Sequence, residues 1–162
     1  MKRMFSLPLF LALFLVCHGN ALAQPASGAK PIIVVFDVQP LGVERITAEV
    51  ASQLLRQELA ATGAFQVMDK GEMEKKLGPG YQCFYVPCAS DSGKRLGASR
   101  AVIGTLSRLG EKFFLDVKVV DAERAEVVNT GQMTSATVED LDTVTKRLAM
   151  AIAQGKRPEE TI

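Results

Sequence analysis

Beyond its first 23 residues the chain has no histidine, because the only one is His18. That removes the commonest general base and the usual partner of a serine or cysteine nucleophile, so no catalytic residue is assigned and no enzyme is expected. Basic stripes are also lacking, since 19 Lys and Arg stand against 18 Asp and Glu with no cluster among them. A nucleic-acid surface needs a concentrated cationic excess, so nucleic acid is excluded as a partner. Only one long apolar run occurs, at the very start, so the rest of the chain is expected to be soluble.

That run reads as an export signal. Lys2 and Arg3 precede an apolar stretch from Phe5 to Val16, and Ala21-Leu22-Ala23 supplies the small-x-small cleavage pattern, which leaves Gln24 as the first residue of the processed chain. Two alternatives are a membrane anchor and lipidation at Cys17. The stretch is shorter than the roughly 18 to 20 apolar residues of a spanning helix. Val16 stands where lipoprotein processing favours a small residue. The expected location is therefore the periplasm, with the membrane met only through the signal before cleavage. Cleavage leaves 139 of the 162 residues, and loss of Lys2 and Arg3 turns the formal charge slightly negative. That length suits one domain with one core.

Two cysteines then remain, Cys83 and Cys88, with four residues between them. In an oxidising compartment an even pair this close reads as a disulfide. The bridge closes a small ring and contributes about 2 kcal/mol of local stability. Zinc would need two further ligands and no histidine supplies them, so no metal is expected. Thiol-disulfide catalysis favours C-x-x-C at a helix start, whereas the spacing here is C-x-x-x-x-C.

Along the chain, residues 24–30 form a flexible lead rich in Pro, Gly, Ala and Ser. Pro31 to Leu41 is a continuous β-branched run, the pattern of a strand covered on both faces. Arg45 to Thr62 reads as an amphipathic helix with Ile46, Val50, Leu54 or Leu55, and Leu59 as its buried stripe, ended by Gly63. Phe65 to Asp69 is a short strand and Lys70 to Leu77 a charged helix. After the cysteine loop, Ser90 is placed as the N-cap of one or two helical turns that stop at Gly97. Ala101 to Leu106 is a strand whose Gly104 leaves room for a close neighbour. In 113–121 the apolar Phe113, Leu115, Val117 and Val119 face one way while Asp116 and Lys118 face the other, and Glu126 to Ser135 returns as an edge strand. The last helix enters at Thr137 and Asp140, carries Val138, Leu141, Val144 or Thr145, Leu148 and Ile152 on its apolar side, and stops at Gly155. The domain spans 31–155, and 156–162 is a polar tail. The fold class is α/β: a mixed sheet of about five strands, the first pair parallel and the last three an antiparallel meander, packed with helices in a single domain.

Other motifs carry little. Ser92-Gly93-Lys94 lacks the first glycine of a phosphate loop and has Arg95 where Ser or Thr should follow the lysine, and Ser27 and Lys30 match S-x-x-K only within the flexible lead. Glu72, Glu74, Glu139, Asp140 and Asp142 fit helix-start charges. No cofactor is implied.

The spaced pattern Cys83, Cys88, Ala89, Gly93, Leu96, Gly97, Ala98, Val102, Gly104, Leu106, Leu109, Gly110, following "IIVVFDV" and "AEVASQLLRQEL", resembles the TolB amino-terminal-domain-like superfamily. That superfamily includes the core of the curli secretion component CsgG and the lipoprotein activators of penicillin-binding proteins. The turn before Val127 reads "ERAE" where relatives often place a glycine. No hairpins long enough for a secretion barrel and no β-propeller repeats are present, so the resemblance implies a stand-alone envelope adaptor that binds protein.

The residues lead the same way. Tyr81, Phe84, Tyr85 and Pro87 sit in a loop pinned at both ends, with Lys94 and Arg95 close behind, and rigid aromatics suit protein contacts. The edge strand near Gln132 offers a second surface for a partner strand, and self-association is a further use of either. The alternative is a small-ligand or enzymatic domain whose pocket beside the cysteine loop is lined by Asp91, Lys94 and Arg95.

Overall fold

The structure, a computed structural model, describes residues 28–158. The signal segment 1–23, its cleavage point at Ala23 and Gln24, and residues 159–162 lie outside the described residues. Among the described residues six strands and four helices follow in chain order. They are β1 (Ile32–Val35), β2 (Gln39–Leu41), α1 (Arg45–Ala61), β3 (Gln66–Val67), α2 (Lys70–Leu77), α3 (Val86–Leu96), β4 (Arg100–Leu109), β5 (Lys112–Asp121), β6 (Glu126–Ser135) and α4 (Leu141–Gln154).

One mixed sheet runs β3-β1-β4-β5-β6, with β2 pairing β4 beyond the end of β1. β1 is parallel to both β3 and β4, whereas β4, β5 and β6 form the expected antiparallel meander. The expected single strand over Pro31 to Leu41 is therefore two. Both lie parallel to β4, at Arg100 to Val102 and at Thr105 to Ser107, but after the Phe36 amide bonds the Val102 carbonyl the chain leaves the ladder at Asp37 and Val38, whose amide turns to Ser52. The break lets Asp37 turn away to meet Arg56 and Lys70.

Each face of the sheet carries two helices. α1 and α4 cover Ile33, Val35, Val102, Leu115 and Val117 with Leu55, Leu59, Leu148 and Ile152. On the other side α2 and α3 cover Val34, Phe36, Ala101 and Ile103 with Met73, Ala89 and Leu96. A β-carbon on Gly104 would stand 2.4 Å from the Asp116 carbonyl oxygen and 3.2 Å from Val38 Cγ1, so glycine is what lets β2 and β5 close on this strand.

The buried face of α1 keeps the expected Leu55 and Leu59 but not the expected Ile46 and Val50. Ile46 and Val50 are more than half or half exposed, and Ala48, Ala51, Ser52, Leu55, Arg56 and Leu59 face the sheet. Small residues let the helix approach closely, and the two polar ones are fully satisfied. The Ser52 hydroxyl donates to the Ala48 carbonyl at 2.6 Å and accepts from the Val38 amide at 2.9 Å. Arg56 Nε donates to the Val35 carbonyl at 3.0 Å while its guanidinium pairs with Asp37, which Lys70 Nζ also reaches at 2.7 Å. Burial works against ionisation of Asp37, but hydrogen bonds from Lys70 and Arg56 and their charges outweigh it and hold its pKa below the ordinary value.

At the other end of the chain, Val138 precedes α4 and is exposed rather than part of its stripe, while Val144 and Thr145 are both buried. The tail also departs from a purely solvated segment. Asn129 Nδ2 donates to the Lys156 carbonyl at 3.3 Å, and Pro158 is buried against Gly131.

Candidate functional site

The cysteine segment runs from the end of α2 into α3. Cys83 and Cys88 are joined as a disulfide with their Cα atoms 5.8 Å apart. The bridge spans a helix start rather than a free loop, because α3 begins at Val86, with Tyr85 in the N-cap position and Pro87 in the first turn. Proline fits there since the first amides of a helix have no intrahelical acceptor to lose. Ser90, expected as the N-cap, is buried one turn inside, where its hydroxyl donates to the Ala122 carbonyl at 2.7 Å. Gly93 lies against the same residue, since a β-carbon there would stand 2.9 Å from Ala122 Cβ. The helix is thereby seated on the end of β5.

The four aromatic and proline positions have different fates. Tyr81 folds back: its hydroxyl hydrogen-bonds the Ser92 hydroxyl at 2.8 Å, and its ring lies 6.2 Å from that of Phe36. Phe84 is half-buried and forms a wall between two clefts, one over β4 to β6 and one beside Gln39, Pro40 and Arg45. Tyr85 is 64% exposed, and Pro87 beside it is exposed. Lys94 and Arg95 are exposed in the last turn of α3, about 12 Å along the helix from Pro87, where cations favour the negative end of the helix dipole. Tyr85 and Pro87 are thus both exposed at the start of α3, and Lys94 and Arg95 lie at its other end. Asp91 is exposed, and neither it, Lys94 nor Arg95 lines the clefts beside Phe84.

The edge strand β6 exposes Val127 and Val128. A register shift at Val119/Val120 leaves Val128 without a partner on β5, a bulge of the kind that blunts a sheet edge near Glu126 while the ladder continues regularly to Ser135. Nearby, Asp121 accepts from the Arg124 amide at 3.0 Å, and that bond lowers its pKa against the effect of burial, with the charges of Arg100 and Arg124 adding to the fall. Sequence periodicity carried no sign of this anchor, nor of Asp37, Arg56 and Lys70, which lie far apart in the chain. Among the described residues no group of three or more Cys, His, Asp or Glu is placed to hold a metal ion, and no helix is long and apolar enough to cross a membrane.

No family model and no curated protein matches the sequence. Solved structures do match. The LpoB C-terminal domain from Salmonella enterica aligns with a TM-score of 0.58 at 18% identity, over 68% of this chain and 85% of that one. TolB from Acinetobacter baumannii aligns with a TM-score of 0.57 at 12% identity, over 79% of this chain and 28% of that one. The chain has the TolB-like fold. Lipoprotein GNA1162 from Neisseria meningitidis is similar too, with a TM-score of 0.55 at 12% identity over 76% of this chain and 96% of that one. The likeness to LpoB and TolB matches the resemblance read from the sequence. Within the TolB-like fold, Tyr85 and Pro87 project at the start of α3, the helix that the bridge and Ala122 hold in place.

Proposed function

We propose that the chain is a non-catalytic, exported interaction domain that binds an envelope protein through the start of α3. The observation that carries this reading is an exposed tyrosine on a fixed frame: Tyr85 is 64% exposed, while Cys83, Ala89 and Ser90 around it are buried. Side chains held this way lose little freedom on binding, and exposed Tyr is favoured at contact centres. The fold shared with GNA1162, a lipoprotein by name, favours the same setting. Export follows from the leader with cleavage after Ala23, and lipidation at Cys17 remains the alternative route to the envelope. The β6 edge from Thr130 to Ser135 is a second contact surface, for a partner strand or another copy.

The test is affinity capture from envelope extracts with the wild-type protein and the Tyr85→Ala and Pro87→Ala variants. Tyr85→Ala weakens capture of a reproducible envelope partner by about tenfold or more while melting stays unchanged. Retention of the same partner by both variants would refute this placement of the contact.

A further inference from the structure

On the α3 side of the sheet a cleft of about 540 Å³ lies across β4, β5 and β6. Its floor is the cross-strand row Gly104, Val117 and Gly131. This row points away from the opening: a β-carbon on Gly104 would meet Val38 and Val117, one on Gly131 would meet Leu148 and Pro158, and Val117 is packed into the core on that opposite face. The rows on either side turn Thr105, Asp116 and Gln132, and Lys118 and Thr130, toward the opening. Phe84 walls one side and Arg157 another.

The charges in this cleft differ from the other charge clusters of the protein. Asp37 is saturated by Arg56 and Lys70, and Asp121 by Arg100 and Arg124. The side chains of Asp116, Lys118 and Arg157, in contrast, make no hydrogen bond or ion pair with any described residue. Asp116 and Lys118 are two residues apart on one face of β5, which places them about 7 Å apart along the strand. Two cations, one anion and neutral amide and hydroxyl groups beside a half-buried aromatic wall form a mixed site in a cleft of ligand-binding size.

We propose that this cleft binds a small zwitterionic carboxylate, an amino acid or short peptide. Its carboxylate lies between Lys118 and Arg157, its ammonium group meets Asp116, and its apolar part rests on Phe84. Gln132 supplies an amide to the ligand backbone. The assignment rests on residues separate from Tyr85 and stands whether or not that contact binds a protein.

The test is an NMR titration of the purified protein with glycyl-leucine, its N-acetyl derivative and its C-terminal amide. Glycyl-leucine shifts the amide resonances of Thr105, Asp116 to Lys118 and Thr130 to Gln132 and saturates. The amide derivative, which lacks the carboxylate, loses binding. Lys118→Ala and Arg157→Ala each weaken the dipeptide by about tenfold. Asp116→Asn removes the preference for the free amine over the N-acetyl form. Both cations are exposed, so an unchanged melting curve shows that the variants are folded. The proposal is overturned if no saturable shift occurs, if the amide binds as well as the free dipeptide, or if the two cation variants bind normally.

Discussion

The Tyr81 hydroxyl stands 2.8 Å from the Ser92 hydroxyl and so ties the strand of chain before the disulfide to the middle of α3. Tyr81 is a frame residue and Tyr85, four positions on, is a contact residue. Tyr81→Phe should cost about 1 kcal/mol through the lost hydrogen bond, read by denaturant unfolding. Tyr85→Ala should stay within roughly 0.5 kcal/mol of wild type, as an exposed substitution does. Equal losses at both positions would contradict the division.

The cysteine bridge closes a short ring, so its removal should have a bounded effect. Replacing Cys83 and Cys88 together by alanine is expected to cost about 2 kcal/mol and to leave the fold intact. Hydrogen exchange should rise around Tyr85 to Ala89 and remain unchanged in β4 and β5. Global unfolding on loss of the bridge would show that it does more than fix the start of α3.

Acid stability should depend on Asp37. Its pKa is lower in the folded protein than its ordinary value of 3.8, so its contribution is present above that value and is lost as pH falls below it. Asp121 is shifted the same way and adds a slope of the same sign. Asp37→Asn should therefore destabilise the protein at neutral pH by about 3 kcal/mol, by leaving Arg56 buried without its counter-charge. It should also flatten the loss of stability between about pH 4 and pH 2 without abolishing it. An unchanged acid profile would contradict the role of the Asp37 cluster.

Ala125 adopts φ 55° in the β5–β6 turn, the left-handed region that glycine enters without penalty. Ala125→Gly should stabilise the protein by about 1 kcal/mol, measured as a higher midpoint in urea. A lower midpoint would mean that the turn gains more from restricting the unfolded chain than it loses to the backbone.

The meander was legible because β5 alternates cleanly, with Phe113, Leu115, Val117 and Val119 on one face. The parallel start was legible because a helix-length segment separates two apolar runs. Hydrophobic spacing placed Leu55 and Leu59 of α1 correctly but Ile46 and Val50 wrongly, since these two keep the helical period as well as Ala48 and Ala51 do. What decides the face is the bonding of Ser52 and Arg56 to residues in another element, which no local pattern encodes. The start of α3 was hidden for a related reason: Pro87 and two cysteines read as loop, yet proline is at home in a first turn. The cleft over Gly104 and Gly131 arises from strand pairing and had no signature along the chain.

A photocrosslinking residue introduced at position 85 in cells that export the protein addresses the central claim most directly, with position 150 on the exposed side of α4 as the comparison. The account predicts a discrete crosslinked envelope protein from position 85 and none of that species from position 150. Crosslinking of the partner from position 150 alone, with position 85 silent, would contradict it.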